Sequence, residues 1–251
     1  MQTEGAHTDI TLYREAAQQI RTGPSYCGLA FHSFPEAHEA AGAALAARLP
    51  PGAKVLDLAA GSGAMCRRIK DLGFLPSACD LVPENFKVHG EIPFWVCNLN
   101  SGVPTETKGA FDAVVAMDII EHLENPRYFL RECYAALRPG GLFLMTTPNV
   151  DSPFSKALFV RAGHFHWFED APYLRGGHIT PIPLRLLERA LKEAGFEQIV
   201  CSSIVENRLS LRWWRMTVLA WIISFISSDK EGGQTLFVQA SRPMIGIGGR
   251  P

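Results

Sequence analysis

None of the six cysteines, at positions 27, 66, 79, 97, 133 and 201, stands in a Cys-x-x-Cys pair. Structural zinc sites and redox dithiols are built on that spacing, and a disulfide framework needs regular pairs, so scattered reduced thiols remain as the reading. Lysine and arginine number 24 against 25 acidic residues, a net charge of −1, and no basic stripe gathers anywhere. Bulk electrostatics offers nothing to a nucleic acid, and none is expected as a partner. No helix of about 18 to 20 apolar residues, the length that spans a bilayer, is written in the chain; Met216 to Ser228 is uncharged but stops short. The first ten residues, MQTEGAHTDI, lack the basic-then-apolar pattern of a secretory signal, and a cytoplasmic protein is expected. Core material is in ordinary supply. Of 251 residues, 47% are hydrophobic and 20% charged, enough for a single large α/β domain over 1–251.

The organising stretch is Lys54 to Asp80, KVLDLAAGSGAMCRRIKDLGFLPSACD. Val55, Leu56 and Leu58 form an apolar run broken only by Asp57, which suits a strand buried on both faces. Ala59-Ala60-Gly61-Ser62-Gly63 then leaves almost no side chain in the way. Met65, Ile69 and Leu72 mark one stripe of a helix, Arg67, Arg68 and Lys70 face out, and Gly73 ends it. Phe74 to Cys79 is a second apolar segment leading into Asp80. This is a β-loop-α-β unit with a bare turn at the carboxyl end of its first strand, where α/β sheets bind ligands. A ligand can lie against main-chain atoms only where no Cβ intervenes, and the turn itself can require positive φ. Cys66 occupies the place of the third glycine of G-x-G-x-x-G, and no Gly-Lys-Ser/Thr follows. Neither a dinucleotide fingerprint nor a phosphate loop is present. Asp57 suits a cationic ligand better than a pyrophosphate, and Asp80 can accept both hydroxyls of a ribose.

DLAAGSG, from Asp57 to Gly63, resembles motif I of the class I S-adenosylmethionine-dependent methyltransferases. The resemblance continues with Cys97-Asn98-Leu99, with FDAVVAMD from Phe111 to Asp118, with Glu121-His122-Leu123, and with LRPGGLFL from Leu137 to Leu144. It is close from Lys54 to Asn149 and looser elsewhere, and the motifs are similar to those of the small-molecule, ubiquinone-biosynthesis type. The resemblance implies a Rossmann-like α/β fold, with a mostly parallel seven-stranded sheet and helices on both faces. It also implies S-adenosyl-L-methionine as cofactor and S-adenosyl-L-homocysteine as product. Carried onto this sequence, Asp57, Gly61 and Gly63 surround the methionine part and Asp80 the ribose. Asn98 and Leu99 meet the adenine, and Met117 and Asp118 wall the methyl-donor site. Ala59, Ser62 and Leu81 complete the cofactor-binding set. The family usually has an acid where Asn98 stands; an amide carbonyl accepts the same bond without charge.

Residues 1–50 read as an N-terminal helical cap, with a short helix near Leu12, Ala16 and Ile20 and a longer one from Glu36 to Leu49. Between them Tyr26, Phe31, His32 and Phe34 are expected to pack on the sheet edge. Residues 51–149 are the cofactor-binding core, with further strands at 92–99, 111–117 and 142–146 and a helix over 127–137. From 150 to 183 periodicity fails, and this aromatic, histidine-bearing stretch is expected to be a substrate lid. Residues 184–251 complete the sheet with strands at 197–205 and 234–240, after a helix that starts near Ile182, and end in a frayed tail. A hydrophobic helix at 209–228 is inserted between them. Apolar on most sides, it must be buried somewhere. Two placements are open: a core or homodimer-interface helix, or peripheral contact with a membrane, with Arg212 and Arg215 toward headgroups and Trp213, Trp214 and Trp221 near the boundary.

Methyl transfer from a sulfonium is an in-line displacement, and orientation alone supplies about 7 to 11 kcal/mol in well-arranged cases. A hydroxyl acceptor benefits from a general base, and histidine suits neutral pH. His178, in GGHITP, and His122, after the fourth strand, are the catalytic candidates, with a structural role for His122 of equal weight. Asn149, His164, His166, Trp167 and Tyr173 are the acceptor-side candidates. Asp118-x-x-Glu121-His122 resembles an element that some relatives use to hold a divalent metal, but a fourth ligand is missing and no metal is expected. Glu121 capping the following turn is the alternative. O-methylation of a small or amphipathic molecule is the leading function. A lipid or prenylated acceptor at a membrane surface, and a non-catalytic cofactor-binding scaffold, are the alternatives. A dinucleotide-dependent oxidoreductase is opposed by Cys66 and by the absence of Tyr-x-x-x-Lys.

Overall fold

Seven strands make the central sheet of the computed structural model, which describes residues 24–205, 214–226 and 232–244. They are β3 (Lys54–Leu58), β4 (Leu75–Asp80), β5 (Phe94–Val96), β6 (Phe111–Ala116), β7 (Leu137–Pro148), β8 (Glu197–Ile204) and β9 (Thr235–Ser241). The order across the sheet is β5-β4-β3-β6-β7-β9-β8. Neighbours from β5 to β7 pair in parallel, whereas β9 is antiparallel to both β7 and β8. A two-stranded hairpin, β1 (Ser25–Tyr26) and β2 (Leu29–Ala30), precedes the sheet. The expected first helix, near Leu12 to Ile20, and the C-terminal tail beyond Met244 lie outside the described residues.

Alternate residues of the inner strands feed two separate cores, which is how a sheet covered on both faces reads in sequence. Leu56, Leu58, Val114, Ala116, Phe143 and Met145 pack with α3 (Pro126–Ala136) and α6 (Leu184–Ala194). Val55, Ala113, Val115, Leu142 and Leu144 pack with α1 (Pro35–Arg48) and α2 (Ala64–Asp71) on the other face. Helices therefore cover both faces of a mostly parallel seven-stranded sheet, as the α/β reading implies.

Three boundaries differ from the sequence expectation. The strand expected over 92–99 contracts to β5, because Pro93 offers no N–H and Asn98 Oδ1 accepts the Asn100 N–H at 3.0 Å, closing an Asx turn. β7 is longer than 142–146: the anticipated turn at Arg138-Pro139-Gly140-Gly141 lies inside it as an irregularity in register against β6. The stretch 150–183 is not one long loop. It holds α4 (Pro153–Ala162) and α5 (Asp170–Gly176). α4 starts where Ser152 Oγ accepts the Ser155 N–H at 3.2 Å with Pro153 at the first helical position, and it stops at Gly163. The inserted hydrophobic helix is α7 (Trp214–Ile226), packed against α4. No helix among the described residues is long and apolar enough to cross a membrane.

Candidate active site

The turn leaving β3 is built from alternating left-handed residues: Ala59 at φ 60°, Gly61 at 51° and Gly63 at 89°. Ala60 N–H donates to the Cys79 carbonyl at 3.1 Å, which locks the turn to β4. Asp80, the last residue of β4, accepts the Gly61 N–H on Oδ2 at 2.8 Å and the Val82 N–H on Oδ1 at 2.9 Å. The two glycines serve different neighbours. A Cβ on Gly61 would stand 2.9 Å from Cδ2 of His32, whereas one on Gly63 would stand 2.7 Å from Cγ2 of Val88. Ser62 is buried, and its Oγ donates to the Ala30 carbonyl at 2.6 Å, pinning the hairpin over the turn. Asp57 is buried beneath, where its Oδ2 accepts the Cys66 thiol at 3.2 Å. Burial pushes the Asp57 carboxyl up to about 7.

A cavity of about 530 Å³ opens at this turn and runs along the carboxyl ends of β3, β4 and β6, the usual place for a ligand in such a sheet. Ala59, Gly61, Asp80, Leu81, Asn98, Leu99, Met117 and Asp118 line it, and all were singled out from sequence. Asp57, Ser62 and Gly63 do not line it. They shape the turn from below, because the strand interior and the helix start turn those three residues away. Four carboxylates line the cavity, Asp80, Asp118, Glu121 and Glu124, and no lysine or arginine does among the described residues. Burial raises Asp80 above the usual carboxylate range and Asp118 to about 6, while main-chain donors and Thr146 respectively oppose the rise. Asp118 sits at φ 45°, held by its N–H on Thr146 Oγ1 at 3.0 Å, and its Oδ1 is buried without a hydrogen-bond partner among the described residues. Strain and an orphaned acceptor coincide at the end of β6.

The far wall comes from the segment after α5. Ile179 and Thr180 donate their N–H groups to the Glu121 carbonyl at 3.0 and 2.9 Å, and Thr180 Oγ1 donates to the Leu123 carbonyl at 2.6 Å. These bonds dock His178 against His122, with ring centroids 4.7 Å apart in an edge-to-face pair. Glu121 is fully buried and accepts Thr147 Oγ1 on Oε2 at 3.0 Å, so its carboxylate turns inward and does not cap a turn. Burial and the Asp118 charge raise it well above the usual range. Burial, followed by His178, depresses His122 to about 3, and burial lowers His178 as well, so both rings are neutral at pH 7. Ligand atoms of Glu121, His122 and His178 lie within 4.8 Å of one another. The sequence grouped Asp118 with Glu121 and His122; the fold puts His178 in the cluster.

Of the acceptor-side candidates only Trp167 lines the cavity. Asn149 is committed elsewhere: its Nδ2 donates to the Gly233 carbonyl at 2.9 Å and its Oδ1 accepts the Asp151 N–H at 3.1 Å. His166 pairs with Glu169 at 3.2 Å, and His164 also lies off the cavity. Tyr173 is 54% exposed on α5. The opposite correction applies to the N-terminal segment. Phe31, His32, Ser33 and Phe34 line the cavity and do not merely pack on the sheet edge. The available signal was the bare Gly61, which clears room for the His32 ring.

Comparison with known proteins adds four matches. A family profile described as a methyltransferase domain matches residues 32–202. The chain is similar to a ubiquinone biosynthesis O-methyltransferase of Xanthomonas axonopodis pv. citri, 36% identical over 128 residues, covering 45% of this chain and 52% of that protein. It thus spans about half the length of the curated relatives it matches. Among solved structures it is similar in fold to Haemonchus contortus phosphoethanolamine N-methyltransferase 2 in complex with S-adenosyl-L-methionine, with a TM-score of 0.58, 18% identity, and coverage of 96% of this chain and 59% of that one. It is also similar to the cyclase SpnF, with a TM-score of 0.59, 16% identity, and coverage of 97% and 96%.

Proposed function

The chain belongs to the methyltransferase-domain family and has the class I fold and cofactor cleft of S-adenosylmethionine-dependent enzymes; from that premise we propose that it methylates an oxygen of a small or amphipathic acceptor, with His178 as general base. The residues fit the cofactor. Gly61 brings main chain to the cavity wall, and the half-buried carboxyl groups of Asp80 and Asp118 face a lining without lysine or arginine among the described residues, a counter-charge that a sulfonium supplies. Bound there, S-adenosylmethionine brings a methyl group already activated for displacement. The chain's own residues do the rest. Asp80 keeps free lone pairs for the ribose hydroxyls after accepting two main-chain N–H groups. Asn98 and Leu99 flank the adenine end, and Met117 and Asp118 bound the end where the methyl is passed.

The observation that carries the oxygen-directed reading is the neutral His178 ring on the cavity wall, with Nδ1 buried and without a hydrogen-bond partner among the described residues. Brought against the acceptor by a turn of the ring, the neutral Nδ1 can take its hydroxyl proton as the oxygen attacks, and the Trp167 main chain beside the ring favours the protonated form that results. His122 packs edge-on against it and fixes its orientation. General-base assistance contributes about 10²- to 10⁴-fold. His178→Ala is therefore expected to cut turnover at least ~100-fold on a panel of phenols and alcohols, read by S-adenosylhomocysteine release, with calorimetric affinity for S-adenosylmethionine unchanged. Turnover confined to amines, or an equal loss of cofactor affinity, would sink the base assignment.

The three-residue cluster favours a second reading of the same reaction. Glu121, His122 and His178 offer one carboxylate and two neutral imidazoles, donors suited to manganese or zinc, which would polarise the acceptor oxygen. Titration with manganese, followed by its paramagnetic resonance, decides between them. Stoichiometric binding lost in Glu121→Gln selects the metal, and no binding leaves the base.

A further inference from the structure

α7 has two apolar faces. Leu219, Ala220 and Ile223 pack on Phe154, Ala157 and Leu158 of α4. The other face presents Val218, Trp221, Ile222 and Phe225 to solvent, at the i, i+3, i+4, i+7 spacing of one helical stripe. Trp221 is 68% exposed and Phe225 84%. α4 adds Phe159 and Val160, also exposed. Such a surface marks an interaction site, since an all-round apolar helix must be covered on both sides.

The charges choose the occupant. α4 and α7 contain Arg161 and Arg215 besides Lys156, which pairs with Asp151 at 3.6 Å, and not one acidic residue of their own, in a chain that is otherwise balanced. Arg161 is exposed at the end of α4. A second copy of the chain, meeting this face about a two-fold axis, would set these cationic helices against each other without an acidic counterpart on them. An anionic bilayer meets both demands: aromatic and aliphatic side chains enter the acyl boundary while arginine stays among the headgroups. Over its described residues α7 is too short to span, which leaves the plane of the interface for it.

We propose that α4 and α7 form a docking surface for an anionic lipid bilayer, with the Val218–Phe225 stripe inserted. The proposal stands whatever the methyl acceptor is. It also joins the bilayer to the site. Phe154 of α4 meets the His166 ring at 5.0 Å, His166 meets Trp167 at 4.8 Å, and Trp167 lines the cavity.

The test is co-sedimentation of the full chain with vesicles of phosphatidylcholine alone or doped with phosphatidylglycerol. Wild type is expected to sediment with the doped vesicles and to be released partly by salt. The double variant Trp221→Glu, Phe225→Glu is expected to bind at least ~10-fold more weakly, because the stripe can no longer insert. Calorimetric titration with S-adenosylmethionine should be unchanged in it, which separates lost docking from lost folding. Arg161→Glu should weaken binding less and reduce its salt dependence. Wild type left in the supernatant, or equal sedimentation of wild type and double variant, overturns the proposal. So does a wild-type dimer in light scattering that the double variant splits while no vesicle is bound, since a second copy then covers the face.

Discussion

His38 lies in α1 with its ring 4.4 Å from that of Phe31 and its Nδ1 buried without a hydrogen-bond partner among the described residues. Burial, with Arg68 and then His32 adding to it, holds its pKa at about 3 against an ordinary 6.5. Below 6.5 the unfolded chain takes a proton that the fold refuses. The stability His38 contributes is present above 6.5 and is lost as pH falls toward 3, at about 1.4 kcal/mol per pH unit. Asp57 has the opposite sign. Its folded pKa of about 7 exceeds the ordinary 3.8, so its contribution is present below 3.8 and lost as pH rises through 7. In scanning calorimetry without cofactor, His38→Leu should flatten the fall in Tm between pH 6.5 and 3 relative to wild type. Asp57→Asn should raise Tm above pH 7 and leave it unchanged below 3.8. Parallel curves for wild type and His38→Leu would show that the histidine is hydrated in the fold.

The β3-turn-α2 element makes its own prediction, because its glycines are constrained for separate reasons. Gly63 precedes α2 at φ 89°, and a Cβ there would press on Val88 and Phe86 at 2.7 and 3.0 Å. Gly73, which follows α2 at φ 85°, has open space around it. Gly73→Ala should therefore cost only the left-handed conformation, about 1 to 2 kcal/mol. Gly63→Ala should cost that plus overpacking, roughly 2 to 5 kcal/mol together. Urea denaturation of the pair measures the difference; equal costs would mean that Val88 and Phe86 yield freely. This element was legible in sequence because strand period, bare turn and helix stripe change within a few residues of one another. α4 was not, because Phe154, Ala157, Leu158, Phe159 and Val160 leave hardly a polar side to reveal its period. Its remaining signal was the capping pair Ser152-Pro153. β5 was overdrawn for the converse reason: Ile92 and Leu99 are apolar and buried, but Pro93 and the Asn98 turn end the ladder between them.

Across the whole molecule, the cavity wall at the carboxyl ends of β3, β4 and β6 was readable because parallel strands deliver consecutive motifs to one sheet edge. The far wall is assembled from 31–35 and 167–179, segments far apart in the chain that no local pattern links, and so Asn149, His164, His166 and Tyr173, grouped with it from sequence, stand off the lining. The resulting cavity gathers carboxyl groups: Asp57 lies beneath the turn, and Asp80, Asp118 and Glu121 surround it, with no lysine or arginine in the lining among the described residues. Each of these carboxyls is raised by burial, Asp118 to about 6 and Asp57 to about 7. A cationic ligand reverses that effect, since a positive charge nearby favours the ionised carboxylate. Binding of S-adenosylmethionine should therefore expel protons at acidic pH, and its affinity should climb as pH rises through 6 toward 7 and then level off. Each proton released corresponds to a slope of up to about one decade per pH unit. Calorimetry in two buffers of different ionisation enthalpy reads the protons directly. Identical apparent enthalpies below pH 6, with affinity flat across this range, would mean that the sulfonium does not sit among these carboxylates. A saturating ligand, at a hundredfold excess over Kd, should meanwhile add about 2.7 kcal/mol to the stability of the whole fold, because the turn, β4 and β6 that it bridges belong to one cooperative sheet.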